Sequence, residues 1–335
     1  MASSRGNNAA MTIAYRCPVC NGPHGREERT LDDYPLVACA DCGMVYVWPR
    51  PARDTSRASY AAGRRGATAD DSPPALGAAD LFALYENEHT PYVQEALGRR
   101  LDRFARRRPI RRMLDFGCGS GHLLGLARAR LGCETFGIEL HPVAELGARR
   151  FGFTLHAGLL EDVPFPAASF DLVYCAQVLE HLPEPGLEVA RLVALLAPGG
   201  LLFVEVPNYG SLAIRLHRDP FTNNRPPGHL NYFRRGPLRR LLSGAGLELL
   251  SVRTPGVPHR AIAGGRTAQA RPAAAAAAPS PNRPFGRGTR ARFRVLAAAD
   301  ALIGLPGWGL QLEAIACRPP AGTSNDSPSR LGRSS

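Results

Sequence analysis

Apolar and polar positions follow two different periods along this chain, and the switching between them sets out its architecture. From Arg111 onward, short apolar runs at 113–116, 135–140, 172–175 and 201–206 have the length and composition of buried strands. Between them lie segments with helical spacing, at 123–131 and 187–196. Strand and helix in alternation predict an α/β domain on a parallel sheet, with helices on both faces. Upstream, Leu81, Leu84 and Tyr85, then Tyr92, Leu97, Leu101 and Phe104, fall on one side of a helix, with interruptions at Pro91 and Gly98. Downstream, 238–242 predicts a helix ended by Gly244, and 247–252 a strand; the pattern resumes with a helix over 293–305 and a last strand over 310–317.

These periods also set the expected boundaries. Residues 1–14 read as a disordered tail, 15–60 as a small cysteine-bearing module and 61–79 as an Ala/Gly/Ser/Pro/Asp linker. The α/β domain spans 80–318 and is interrupted at 254–290 by a Pro/Ala/Gly/Arg-rich insertion that includes an alanine run over 273–278; this insertion reads as disordered or weakly helical. Residues 319–335 read as a second disordered tail. The front module contains a short strand closed by Pro49 and Pro51, which is too little chain for a core of its own, so it needs a staple.

The cysteines supply one. Cys17-Pro18-Val19-Cys20 and Cys39-Ala40-Asp41-Cys42 form two C-x-x-C knuckles at a spacing suited to zinc. Four thiolates at tetrahedral corners close the coordination sphere, which predicts a structural metal. Cys118, Cys133, Cys175 and Cys317 are scattered and read as small buried apolar residues. The formal charge of +12 invites a nucleic-acid partner, but all 41 basic residues are arginine, a bias that reads as a coding preference more than as a binding surface. No run approaches the ~20 apolar residues of a membrane span. Met1 to Ala10 lacks the apolar core of a secretion signal, so the chain is expected in the cytoplasm.

The most informative segment is Met113-Leu114-Asp115-Phe116-Gly117-Cys118-Gly119-Ser120-Gly121-His122-Leu123-Leu124, a strand that feeds a glycine turn opening a helix. Such a turn lets a nucleotide-like cofactor approach the backbone. The dinucleotide fingerprint would need glycine at His122, and Glu139 ends the next strand, where a carboxylate can accept from ribose hydroxyls. With these features in this order, the chain resembles the class I S-adenosylmethionine-dependent methyltransferases over residues 80–318, and the resemblance implies a Rossmann-like methyltransferase sheet. Asp115, Gly117, Gly119 and Gly121 match the family's first motif, and Glu139 its ribose-binding acid. Glu161-Asp162-Val163-Pro164-Phe165-Pro166, with Ser169-Phe170-Asp171 following, resembles the adenine-flanking segment, and Leu195-Leu196-Ala197-Pro198-Gly199-Gly200 the turn before the fifth strand. Many relatives carry an aspartate where this chain has Leu159, so adenine recognition falls to backbone groups around Leu160 and Glu161.

Methyl transfer is an in-line displacement, so the protein must align the acceptor and, where needed, remove its proton. Beyond the fourth strand the chain reads Gln177-Val178-Leu179-Glu180-His181-Leu182-Pro183, where the His181 imidazole suits a general base. Its structural alternative is that Glu180 and His181 merely shape the turn. Pro226-Pro227-Gly228-His229-Leu230-Asn231-Tyr232-Phe233 resembles the acceptor-side segment of methyltransferases sharing the Glu-His turn. Some relatives hold a divalent metal with such a pair and further acids or histidines; Gln177 in place of one carboxylate counts against it here. The continuation from Cys42 through Trp48 to Tyr60 resembles the zinc-ribbon leader of one methyltransferase branch, which includes enzymes acting on sugars and other small metabolites.

Three functions follow. The first is methylation of a small acceptor such as a sugar, quinone precursor or lipid-linked intermediate, favoured by the Glu-His turn and His229. The second is RNA methylation with the ribbon gripping RNA, favoured by charge. The third is a non-catalytic nucleic-acid-binding ribbon protein, against which the intact glycine turn and Glu139 count.

Overall fold

The computed structural model describes residues 15–51, 76–163, 165–217, 225–256 and 306–320. The expected tail at 1–14, most of the linker, nearly all of the 254–290 insertion, the 293–305 helix and residues 321–335 lie outside the described residues.

The front of the chain is a hairpin, β1 (Gly25–Leu31) against β2 (Tyr34–Cys39), which continues antiparallel into β3 (Val45–Val47). β1 is polar on both faces, which is why its sequence gives no strand signal, whereas Val45, Tyr46 and Val47 are all buried. Two helices follow, α1 (Ala78–Glu88) and α2 (Pro91–Ala105). α2 starts at Thr90, whose hydroxyl accepts from the Val93 amide at 3.4 Å, with Pro91 at its first position; this divides the long apolar stripe into two helices.

The larger sheet then forms from β4 (Arg112–Phe116), β5 (Glu134–Glu139), β6 (Thr154–Ala157), β7 (Phe170–Ala176) and β8 (Leu196–Pro207), with α3 (His122–Leu131), α4 (Val143–Phe151) and α5 (Pro185–Leu195) as crossovers. After β8 come α6 (Leu212–His217), β9 (Asn231–Tyr232), α7 (Arg235–Gly244), β10 (Glu248–Arg253) and β11 (Gln311–Cys317). The strand order is β10-β11-β8-β7-β4-β5-β6, parallel from β6 to β8, with β11 antiparallel to both neighbours. The central strands are apolar on both faces because helices cover each side, as the short continuous apolar runs require. β6, with the mixed sequence Thr-Leu-His-Ala, carries no comparable run.

The chain steps outward from β4 in both directions, with β5 on one side and β7 on the other. That reversal opens a crevice beyond the carboxyl ends of β4 and β7, where ligands bind in open α/β sheets. It brings the turn after β4, residues 117–121, beside the turn after β7, residues 177–183.

The front hairpin is knitted into the larger unit. β3 pairs with β9 through Val45–Tyr232 and Tyr46–Asn231, which makes a four-stranded sheet in the order β1-β2-β3-β9. Cys17, Val37, Cys39, Met44 and Tyr46 share one core with Leu179, Val189, Leu192, Leu238 and Leu241. No helix among the described residues is long and apolar enough to cross a membrane.

Candidate functional site

The turn after β4 adopts left-handed backbone at Gly117 (φ 78°), Gly119 (φ 52°) and Gly121 (φ 73°). A Cβ on Gly117 would meet Val178 Cγ2 at 2.4 Å, so this glycine lets the β4 and β7 turns pack directly on each other. Gly147 on α4 seats the turn from behind: a Cβ there would lie 2.0 Å from the Ser120 carbonyl oxygen. From above, Tyr85 of α1 reaches Gly119, while His89 stacks on His122 with ring centroids 4.2 Å apart.

Glu139 is buried at the end of β5, and its carboxylate organises the same turn. Oε2 accepts from the Gly119 amide at 2.9 Å; Oε1 accepts from Leu140 at 2.8 Å and His141 at 3.0 Å. A carboxylate offers about four lone-pair directions, so one on Oε2 remains for a ligand hydroxyl. Asp115 lies beneath, fully buried, and burial, followed by the nearby Glu139 charge, raises its carboxyl to about 8. Leu160 and Glu161 sit in a single 3-10 turn at Leu160–Asp162. The Leu160 side chain belongs to the core and the Glu161 carboxylate pairs with Arg191 at 2.9 Å, so the side of this turn open to a ligand is its backbone.

The turn after β7 gathers the second group. Glu180, His181 and His229 bring ligand-type atoms within 4.8 Å of one another, a spacing that also permits a cation. The Glu180 carboxylate is 1% exposed, has no hydrogen-bond partner, and is raised to about 8 by burial. His181 Nδ1 lies 2.7 Å from the Gly228 carbonyl oxygen. A carbonyl only accepts, so Nδ1 carries the proton and Nε2 is the basic nitrogen, 3.9 Å from Glu180 Oε1. The His229 ring meets His181 edge-on at 4.5 Å, and burial, then the proximity of His181, lowers it to about 2, which keeps it neutral. Gln177 takes no part: its amide donates to Gln311 at 3.1 Å and Glu205 at 3.4 Å.

The four front cysteines converge as expected. Their sulfurs all lie within 4.8 Å, with Cys17–Cys42 at 3.5 Å and Cys20–Cys39 at 3.6 Å, and all four are free thiols. Zinc–sulfur bonds of about 2.3 Å at tetrahedral angles put sulfurs roughly 3.8 Å apart, so the donor set fits that ion. The two knuckles repeat one backbone design. Cys17 N donates to Gly22 O and Asn21 N to Cys17 O, just as Cys39 N donates to Met44 O and Gly43 N to Cys39 O. Asn21 and Gly43 both take the left-handed turn that closes each loop.

Every residue expected at the site from sequence thus falls into one of three groups: the glycine turn with Asp115, Glu139, Leu160 and Glu161; the Glu180, His181 and His229 group; and the thiols. Sequence patterns give no role at the site to Tyr85, Gly147, Arg50 or Asn231, although Arg50 and Asn231 lie within the two resemblance-bearing segments at 42–60 and 226–233. Tyr85 reads as an ordinary helix position, Gly147 lies in a stretch for which no element is read from sequence, and Arg50 is one arginine among 41.

Residues 89–252 match the model of a family described as "Methyltransferase domain". A ubiquinone biosynthesis O-methyltransferase of Xylella fastidiosa is 39% identical over 120 residues, which is 32% of this chain and 48% of the relative. A protein of the same description from Xanthomonas axonopodis pv. citri is 38% identical over 112 residues, 31% of this chain and 46% of the relative. The chain therefore spans about half the length of the curated relatives it matches. The crystal structure of a SAM dependent methyltransferase from Archaeoglobus fulgidus covers 67% of this chain and 94% of its own, at 18% identity and a TM-score of 0.44.

Proposed function

Residues 89–252 belong to the methyltransferase-domain family, and on that premise we propose that this chain moves the methyl group of S-adenosylmethionine onto an oxygen of a small acceptor, a phenolic quinone precursor. The observation that carries the reading is the juxtaposition, at the sheet's reversal point, of the glycine turn governed by Glu139 with the Glu180, His181 and His229 group.

When bound, the cofactor supplies an electrophilic methyl on a sulfonium. Glu139 would hold a ribose hydroxyl through the remaining lone pair of Oε2, and the backbone of the Leu160–Asp162 turn would meet the adenine. Gly117, Gly119 and Gly121 give this turn its left-handed backbone and its close packing on Val178, Tyr85 and Phe153. His181 Nε2 accepts the acceptor's hydroxyl proton, and the imidazolium so formed keeps its Nδ1–H bond to Gly228 O. His229, held neutral, and Glu180, protonated near neutrality, lie beside this base without adding a competing charge. The relatives named for ubiquinone biosynthesis O-methylation support the acceptor class. Cys17, Cys20, Cys39 and Cys42 would hold a zinc ion in a structural role, since four thiolates leave no open position for chemistry.

The test incubates the purified chain with methyl-labelled cofactor and either catechol-type phenols or total RNA. Label in the phenol, lost in His181→Ala, supports the reading. Label in RNA alone would replace it with the RNA-modifying alternative, and failure to bind S-adenosylhomocysteine would refute the cofactor site.

A further inference from the structure

Arg50 follows β3, in the front module, yet its guanidinium lies among main-chain oxygens of the reaction centre. Nε donates to Pro183 O at 3.1 Å; Nη1 donates to Leu230 O at 3.1 Å and to Asn231 Oδ1 at 3.0 Å; Nη2 donates to Leu182 O at 3.0 Å and to Pro183 O. The first of these segments carries Glu180 and His181, and the second follows His229. The same two segments are stitched by Asn231, whose Nδ2 donates to Leu179 O at 2.8 Å and Leu182 O at 2.7 Å. The Leu230 and Asn231 amides both donate to Glu180 O, at 2.7 and 3.0 Å.

We infer that Arg50 is a positioning residue for methyl transfer: it fixes the 179–183 turn against the 228–231 segment, and so sets the spacing of His181 from His229 and Gly228. This inference rests on the proposed function for its catalytic consequence but not for its structural content. A guanidinium is the side chain whose planar, separated N–H groups can satisfy four acceptors at once. Desolvation brings Arg50 down to about 10, so it remains charged through neutrality.

The position also links the thiol cluster to the histidines. Arg50 is three residues past Val47, whose amide donates to the same Leu230 carbonyl at 3.0 Å, and β3 pairs with β2, which ends at the ligand Cys39. On the opposite side of the cluster, Pro18 in the first knuckle packs its carbonyl against Gly186, at the start of α5, which follows the His181 turn. The front module thereby serves as a brace for the reaction centre.

The experiment compares the full chain with Arg50→Ala and Arg50→Lys, with zinc content and S-adenosylhomocysteine affinity as checks of folding. Nitrogen NMR of labelled histidine, assigned with His181→Ala, reads the His181 tautomer. Labelled methyl transfer to catechol reads turnover. In Arg50→Ala we expect zinc content and cofactor affinity within about twofold of the native chain, loss of the fixed Nδ1–H tautomer, and kcat about a hundredfold lower, the usual scale for a displacement near 1 Å. Added guanidinium should restore turnover at least partly, whereas Arg50→Lys, which cannot span both segments, should stay impaired. An unchanged His181 tautomer in either folded variant overturns the inference, as does a parallel loss of cofactor affinity and kcat. A native chain that methylates no phenol would refute the proposed function, while the tautomer comparison would still decide the role of Arg50. If Arg50→Ala does not fold, Arg50→Lys with its tautomer readout decides alone.

Discussion

Gly147 offers a direct test of how the cofactor turn is held, because it lies in α4 and faces the back of that turn. Alanine favours a helix interior over glycine by about 1 kcal/mol, so Gly147→Ala would stabilise the protein if only local preference mattered. The structure argues otherwise. The added Cβ would sit 2.0 Å from Ser120 O and 2.7 Å from Ser120 C, where real Cβ contacts stay beyond 3.0 Å. About 1 Å of backbone must therefore yield, and it is the stretch running into Gly121, itself left-handed at φ 73° and packed on Phe153. Overpacking of this kind costs roughly 1–3 kcal/mol, and the rigid backbone obstacle places it toward the upper end. The net expectation is a loss of about 1–2 kcal/mol and a cofactor affinity about tenfold weaker, equivalent to one hydrogen bond at the upper end of its usual net contribution. Urea unfolding and calorimetry with S-adenosylhomocysteine measure both. Gly236→Ala is the control: it is also helical, in α7, but its Cβ would meet nothing within 4 Å, so stability should rise or stay level. If Gly147→Ala matched Gly236→Ala in stability and bound the cofactor normally, the packing argument would be wrong.

Other expectations follow from the same geometry. Cys39→Ser should abolish stoichiometric zinc and lower the melting temperature, and unchanged metal content on elemental analysis would reject the four-thiol ligand set. His181→Ala should cut kcat far more than cofactor affinity; an equal fall in both would assign the residue to the architecture of the turn. Glu180 and Asp115 both have folded pKa values raised to about 8, above ordinary carboxyl values near 4. The folded state thus binds their protons more tightly, so their contribution to stability is full below pH ~4 and lost as pH rises through 8. Unfolding midpoints between pH 5.5 and 8.5 should accordingly fall with pH, and more shallowly in Glu180→Gln; an identical slope in that variant would show that Glu180 does not titrate in this window.

Much of the molecule was readable without coordinates because its signals are local. The strands from β4 to β8 bury both faces, so continuous apolar runs mark all but β6, whose four mixed residues at the sheet margin do not. Strand-turn-helix order around Gly117 to Gly121, an acid at the end of β5 and two C-x-x-C knuckles are each contained within a few consecutive residues. They predicted the glycine turn, the place of Glu139 at a strand end and the thiol cluster. At Leu160 and Glu161 the sequence reading rests on backbone groups, and the side chains there are engaged by the core and by Arg191.

What tertiary structure alone decided are the relations between segments far apart in the chain. Sequence treats residues 15–60 as a separate bead; pairing of β3 with β9, some 185 residues later, joins its described part, 15–51, to the segment that carries His229. No sequence pattern states the roles of Arg50, Asn231 and Gly147, because those roles come from what they face: five hydrogen bonds to two turns, carbonyls closing on a side-chain amide, and a missing Cβ against a carbonyl. Periodicity reports how a residue sits relative to its own element. Which oxygen a guanidinium meets depends on how elements pack, and that is fixed only when the whole chain has folded.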